Sequence, residues 1–318
     1  MKSNKRKYKI LILLLCVFIP FVSFYLYYRL PVGPGVNAHS LPIEAFQKTW
    51  SNRAVLLVGM GDSIVTGFGS GKSEFAFYKM LLNNPDDEYP EMKGKTLRKV
   101  FPELRHINIA MNSTTSGDHI DQVEAIPMQS KDVFGIVLLS TGGIDLIHNY
   151  GRTPPQDQAS YGATKEQIPL LAAKFERRLD KLLNRIEEKF PGGLRILLFS
   201  IYDPTDGVGD IENAHPFLKL IKALPKWPDG LFALESWNKI IKRKAEERRT
   251  VILVDNHALF LGHGLHCRDK SNPHYHPDSP YYWYFDNLED PNKYGYDAIR
   301  KNILGIMTRE FSNGLPKY

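Results

Sequence analysis

The stretch that decides the fold is VLLVGMGDSIVTGFGSGKSEF, residues 55–75. It begins as an apolar run, breaks into glycines and then starts a new apolar pattern. This outline predicts a strand that turns into a helix, where free backbone N–H groups can stabilise negative charge. Three kinds of site share it: a dinucleotide fingerprint, a phosphate-binding P-loop, and a turn that presents a serine nucleophile.

Neither nucleotide-binding pattern is complete in this stretch. In the two possible registers of Gly-x-Gly-x-x-Gly, the third glycine is replaced by Ile64 or by Lys72. The P-loop pattern is present only in its second half, because Thr66 stands at its first glycine. The sequence therefore favours a turn that presents Ser63. A serine becomes nucleophilic when a base takes its proton and N–H donors stabilise the oxyanion.

The rest of the chain alternates apolar runs with amphipathic stretches. We predict five strands, at 54–58, 105–111, 134–140, 195–202 and 250–255. The clearest helical patterns cover 166–190, 234–248 and 292–311. Strands that are apolar on both faces and separated by helices indicate a parallel sheet covered on two sides. The predicted fold is a three-layer α/β/α sandwich with its site at the carboxyl ends of the strands.

The first 30 residues differ in character from the remainder. The net charge of +6 arises there, and the remaining 35 basic and 35 acidic residues balance, which argues against a nucleic-acid partner. Basic residues flank an apolar run at 10–28, which we predict to be an uncleaved membrane anchor rather than a cleaved signal peptide. The predicted organisation is a cytoplasmic tail and anchor at 1–30, a linker at 31–50 and an extracytoplasmic domain at 51–318.

Four blocks of the body, in the expected order, resemble the SGNH (GDSL-type) hydrolases. They are GMGDSIVTGFG at 59–69, NIAMNSTTSGDHIDQV at 108–123, LLSTGGIDLIHNYG at 138–151 and DNLEDPNKYGYDAIR at 286–300. The resemblance implies a flavodoxin-like fold and a serine ester hydrolase that needs no cofactor and no metal. It also implies Ser63 as nucleophile and an oxyanion hole formed by Ser63, Ser113 and Gly143.

Two of these blocks depart from the family pattern. Ile144 stands where the third block normally has an oxyanion-binding asparagine. In the fourth block, Asp290 occupies the usual histidine position and Asn287 the usual aspartate position. With one insertion, Asp286 instead matches the aspartate and Glu289 replaces the histidine. Neither alignment supplies a histidine, the base normally used near neutral pH.

A substitute base is predicted just upstream, where five of the ten histidines lie within 257–276. His263, between two glycines, is the first candidate and His266 the second, with Asp255, Asp269 or Asp286 as orienting carboxylates. Proton transfer by the carboxylates of Asp286 or Asp290 is the alternative. The same segment contains potential zinc ligands, but their spacing matches no standard site.

The sequence therefore predicts a membrane-anchored ester hydrolase, an esterase, acylhydrolase or carbohydrate O-deacetylase. An anchor in the cell envelope favours an acetylated polysaccharide or a lipid as substrate. The alternative is a catalytically degenerate domain of the same fold that binds an envelope glycan or a partner protein.

Overall fold

The structure is a computed structural model, and it describes residues 2–28, 32–33, 41–213 and 224–316. Its centre is a sheet of five parallel strands in the order β2-β1-β3-β4-β5. The strands are β1 Val55–Met60, β2 Leu104–Asn108, β3 Phe134–Leu139, β4 Leu194–Phe199 and β5 Val251–Val254. The predicted five-stranded parallel sheet is confirmed. The chain winds outward from β1 in both directions, as in flavodoxin-like folds.

Ten α-helices lie in the described part of the chain, and most are short. They are α1 Lys2–Tyr28, α2 Ser63–Thr66, α3 Phe77–Leu82, α4 Leu97–Val100, α5 Ser116–Gln122, α6 Gly143–Ile147, α7 Ile168–Glu188, α8 Gly230–Glu247, α9 Asn256–Phe260 and α10 Lys293–Phe311. The long helices α7, α8 and α10 correspond to the three predicted ones, with ends that differ by a few residues.

Each face of the sheet carries its own apolar core, which gives the three predicted layers. One core includes Phe77, Phe134 and Phe311 and is covered by α3 and α10. The other includes Phe175 and Trp237, whose rings stack at a centroid distance of 5.6 Å, and is covered by α7 and α8. Because both faces are covered, the inner strands β1 and β3 are apolar and buried over their full length, whereas β2 at the edge of the sheet is polar and largely exposed.

Residues 41–50, predicted as the second half of the linker, pack against the domain. Leu41, Phe46 and Trp50 are buried in the core on the α10 side. The indole N–H of Trp50 donates to the carbonyl of Ala45 at 2.7 Å, and its ring meets Phe101 edge-on. These residues therefore belong to the folded unit, although a proline and glycine motif precedes them.

The apolar run at 10–28 lies within helix α1. Among the residues that the structure describes, no helix has both the length and the apolar character that crossing a bilayer requires. The transmembrane helix predicted from the sequence is thus without support in the structure.

Candidate active site

The turn after β1 places Ser63 at the carboxyl edge of the sheet. Gly61 has a φ of +124°, and a Cβ there would lie 2.0 Å from the carbonyl oxygen of Ser140, so only glycine lets β1 and β3 approach so closely. Asp62 then caps α2, its carboxylate accepting the N–H of Ile64 at 3.2 Å. Ser63 is the first residue of this short helix and is only 7% exposed.

The loop after β2 lies beside this turn. Its Asn112 accepts a hydrogen bond from the Thr66 hydroxyl at 2.6 Å, and the Thr114 hydroxyl donates to the carbonyl of Gly61 at 3.1 Å. Between them, Ser113 adopts a φ of +61°, a left-handed conformation that glycine adopts most readily. Ser113 therefore holds a backbone conformation that costs a glycine less, and its loop lies against the Ser63 helix.

The loop after β3 completes this side of the site. Gly143, the first residue of α6, is close to the nucleophile turn, since a Cβ on it would lie 4.0 Å from the Asp62 carboxyl. Its neighbour Ile144 lines the cavity next to Ser63, so the position of the missing asparagine is filled by an apolar side chain. Asp145 is fully buried and ties two loops together by accepting the N–H and the hydroxyl of Ser116 at 2.8 and 2.6 Å.

The segment before α10 brings a carboxyl group to Ser63. Asp290 is 1% exposed, and its side chain lies close enough to the Ser63 hydroxyl for that contact to lower the carboxyl pKa, against the larger effect of burial, which raises it. Asn287 donates from Nδ2 to Asp290 Oδ2 at 2.7 Å. Within the described chain, Asp290 Oδ1 has no hydrogen bond of regular geometry.

Two more carboxyl groups stand near Asp290. Burial raises the pKa of Asp62 to about 7, a hydrogen bond from Ser140 opposes this, and the charge of Asp290 adds to it. Burial likewise raises the pKa of Glu289 to about 7, with further contributions from Asp290 and Asp62. Proximity of three carboxyl groups favours keeping some of them protonated near neutral pH.

Ser63 opens into a cavity of about 360 Å³. Its polar lining comes from the loops after β1, β3 and β4 and from 287–289. The remainder is lined chiefly by large apolar side chains, among them Ile144, Leu146, Tyr161, Trp227, Leu231 and Leu234. A cavity of this size and character can enclose an apolar organic group next to the serine.

The histidine segment at 257–276 is not part of this cavity. His263 is buried, its ring stacks on Trp283 at 3.5 Å between centroids, and its Nδ1 is 2.8 Å from the carbonyl oxygen of Tyr281. Burial lowers its pKa to about 4. The Nε2 of His266 pairs with Asp210 at 2.9 Å. Neither histidine lines the cavity at Ser63, and one ring nitrogen of each is held by another partner.

The predicted carboxylates divide in the same way. Neither Asp286 nor Asp290 lines the cavity, whereas Glu289 does. Asp286 is exposed, and the buried carboxyl group of Asp290 lies near the Ser63 hydroxyl. Asp290, which the alignment anchored on Pro291 and Asn292 puts at the histidine position, lies near Ser63, and Glu289, which the other alignment puts there, lines the cavity. No group of three or more potential metal ligands lies together within the described residues.

Sequence reasoning missed two buried residues that form hydrogen bonds to the turn and loops of the site. His119 is fully buried, with Nδ1 2.8 Å from the Thr141 hydroxyl and Nε2 3.0 Å from the Thr114 hydroxyl. Gln122 pairs with both backbone groups of Gly61 at 3.0 Å. Both lie on α5, three residues apart, within the quoted second block. Polar residues at that spacing on a helix that covers a sheet are the signal that could have revealed them.

Solved structures similar to the chain include three hydrolases. One, from Veillonella parvula DSM 2008, is described as a member of the lipolytic protein G-D-S-L family; it is 12% identical, with a TM-score of 0.48, covering 80% of this chain and 100% of its own. A catalytic mutant of an acetylxylan esterase from Geobacillus stearothermophilus is 15% identical, with a TM-score of 0.47 and coverages of 84% and 96%. An extracellular lipase from Streptomyces rimosus is 17% identical, with a TM-score of 0.45 and coverages of 80% and 99%.

Curated proteins give no match to the chain. The profile of the GDSL-like lipase/acylhydrolase family, in contrast, matches residues 60–283, well over half of the sequence. The match includes the Ser63 turn and the loops after β2 and β3, and it ends before Asn287 and Asp290. The chain therefore belongs to the GDSL-like lipase/acylhydrolase family.

Proposed function

We propose that this protein is a serine ester hydrolase in which Ser63 attacks the ester carbonyl. The observation that carries the proposal is the position of Ser63, at the first turn of α2 and in the lining of a largely apolar cavity. The N–H groups of Ser63, Ser113 and Gly143 are the proposed oxyanion donors. The left-handed backbone at Ser113 and the closeness of Gly143 to Asp62 support this assignment.

The lining of the cavity favours an ester with an apolar acyl group over an acetyl group on a polysaccharide. Ile144, Trp227 and Leu234 offer no hydrogen bonds to a sugar from their contact surfaces, but they would exclude water from a hydrocarbon chain. Each methylene buried there contributes about 0.8 kcal/mol, or roughly a fourfold gain in kcat/KM. A series of 4-nitrophenyl esters from acetate to decanoate should show this rise until the cavity is filled.

Reaction with a fluorophosphonate probe tests the nucleophile. Wild-type protein should be labelled, and Ser63→Ala should lose labelling and ester hydrolysis together. Ser73→Ala, which changes an exposed serine a short distance along the chain, is the matched control and should behave as wild type. A folded wild-type protein that takes up no label would contradict the proposal.

That outcome would favour the second candidate, a degenerate domain that binds a glycan or partner protein. The observation in its favour is Ile144, which removes a donor whose loss typically costs about 100- to 1,000-fold in turnover. Binding of an unhydrolysed ester or glycan by the unlabelled protein would then be measured directly by calorimetry.

We also propose, on the sequence alone, that residues 10–28 anchor the protein and place the domain outside the cytoplasm. The support is the apolar run with basic residues on its amino-terminal side. Retention of the full chain in membranes washed with alkaline carbonate, compared with a chain lacking residues 1–30, tests it. Release of both chains would contradict the anchor.

A further inference from the structure

The fourth block departs from its family at two positions, and the structure places those two residues in direct contact. Asp290 stands at the usual histidine position and Asn287 at the usual aspartate position. They are joined by the hydrogen bond from Asn287 Nδ2 to Asp290 Oδ2 at 2.7 Å. The two substitutions therefore have to be explained together.

The local backbone holds this pair in a fixed position. Asn287 Oδ1 accepts the N–H groups of Glu289 and Asp290, both at 3.2 Å, so the amide orientation is set by its own loop. The N–H of Phe285 donates to the Asp290 carbonyl at 2.7 Å, and the Tyr202 hydroxyl donates to the carbonyl of Glu289. With Oδ2 bound by Asn287, Asp290 Oδ1 is the oxygen left without a regular hydrogen bond, and the Ser63 hydroxyl lies near the same carboxyl group.

The charges of the pair explain why both positions changed. A histidine base becomes a cation when it takes a proton, so its orienting partner is an anion. An aspartate base is the anion before the reaction, and a second carboxylate beside it would raise its pKa and weaken its ionised form. A neutral amide that donates a hydrogen bond holds and stabilises the carboxylate instead. Asn287 supplies such a donor.

We infer that Asp290 is the general base for Ser63 and that Asn287 is the residue that positions it. This rests on the proposed ester hydrolase function. As Ser63 Oγ forms a bond to the ester carbonyl carbon, Asp290 takes the proton of the Ser63 hydroxyl. When the tetrahedral intermediate collapses, the bond from carbon to the alcohol oxygen breaks, and Asp290 returns the proton to that oxygen. A water molecule then repeats the two steps, releasing the acid and restoring Ser63.

The titratable groups that face Asp290 are Asp62, Glu289, Tyr202 and Tyr296. None of these four groups is a cation, and the hydrogen bonds that stabilise the ionised form of Asp290 within the described residues come from Asn287 and Ser63. Activity should therefore rise with pH as Asp290 loses its proton. Ionisation of Asp62 and Glu289, whose pKa values are raised to about 7, adds negative charge near the oxyanion and should lower activity above that pH.

The experiment measures kcat/KM for a 4-nitrophenyl ester and the rate of fluorophosphonate labelling against pH. The proteins are wild type, Asp290→Asn and Asp278→Asn, the last removing an exposed carboxylate as the matched control. Asp290→Asn should lose about 100- to 10,000-fold in both rates, the usual contribution of a general base, and the rise with pH should disappear. Asp278→Asn should match wild type in both respects.

The outcomes test the assignment of the nucleophile and the assignment of the base independently. Wild-type protein that takes no label contradicts the hydrolase itself. Labelled wild type with an Asp290→Asn variant of unchanged rate and pH profile overturns only the assignment of Asp290. If Asp290→Asn fails to fold, Asp290→Glu keeps an ionisable carboxyl displaced by one methylene. It should keep the rise with pH at a reduced rate, and an unreduced rate would overturn the assignment.

Discussion

Two buried aspartates near the carboxyl edge of the sheet, Asp206 and Asp290, have opposite surroundings. Asp206 accepts the backbone N–H groups of Gly262, Gly264 and His266, at 2.8 to 3.1 Å. Among the described residues, Asp290 has one donor of regular geometry, the Asn287 amide, and its carboxyl group lies near the Ser63 hydroxyl. Burial raises the pKa of both, to about 6 for Asp206, where the three N–H groups act against it.

The difference separates a structural carboxylate from one that can take part in chemistry. The N–H groups bonded to Asp206 belong to the turn that contains His263 and His266, so this carboxylate holds the histidine segment in place. Both of its oxygens already accept hydrogen bonds. Asp290 is held on one side only, which leaves an oxygen free to accept a proton from its neighbour. A buried carboxyl oxygen without a regular hydrogen bond lowers the stability of the fold. Such an oxygen in Asp290, next to a serine hydroxyl, therefore indicates a functional role.

The largest effect expected from this comparison is the loss of stability in Asp206→Ala. Three buried N–H groups would lose their acceptor, and each one left unsatisfied costs about 1–3 kcal/mol, so the free energy of unfolding should fall by on the order of 5 kcal/mol. Denaturation in urea measures it, with Asp278→Ala as the exposed control. Fluorophosphonate labelling of the folded variant should stay within a few-fold of wild type. A small change in stability would show that the turn is held by other contacts.

A smaller effect is the dependence of stability on pH that Asp62 imposes. Its pKa is raised from 3.8 to about 7, so its favourable contribution to stability is complete below about pH 4 and is lost as pH rises to about 7. The slope is at most about 1.4 kcal/mol per pH unit for this group. Asp62→Asn should remove that part of the slope and gain stability over wild type as pH rises.

Denaturation of both proteins at several values between pH 4 and pH 8 measures this difference. The asparagine side chain can still cap α2, so helix capping is preserved in the comparison. Asp278→Asn should reproduce the wild-type slope. Parallel curves for Asp62→Asn and wild type would mean that Asp62 is already ionised in the folded protein at low pH.

The fold could be predicted because each layer leaves a local trace in the sequence. Strands buried on both faces read as unbroken apolar runs, and α7 shows its buried stripe of apolar residues at helical spacing. The predicted end of β4 at residue 202 was too late, since the strand ends at Phe199. Ser200 binds Asp255 across the edge, and the side chain of Asn238 on α8 pairs with the backbone of Ile201. Such contacts come from distant parts of the chain and leave no local pattern.

The candidate site could be predicted only as far as local geometry determines it. The position of Ser63 is set by Gly61 and the turn after it, because the backbone conformation of a turn depends on the residues within it. Which group lies beside Ser63 depends on which nitrogens and oxygens are already used in tertiary contacts. Residue type favours His263 as the base, but its ring stacks on Trp283 and its Nδ1 is bonded to the carbonyl oxygen of Tyr281. The sequence offers Asp290 as one of several candidate bases, and only its tertiary contacts distinguish it from the others.

Asn287→Asp gives the smallest expected effect, and it tests the charge argument most directly. The substitution restores the family's usual aspartate next to an anionic base, so two carboxylates would meet where an amide now donates at 2.7 Å. The pKa of Asp290 should rise further, and the rise of kcat/KM with pH should move up by about one unit, a loss of roughly tenfold on its acidic side. Asn287→Asp combined with Asp290→His re-creates the family's usual pair, and in that background the same aspartate should help rather than harm. If Asn287→Asp leaves the profile in place while Asp290 is intact, the two carboxyl groups do not interact and Asn287 does not position the base.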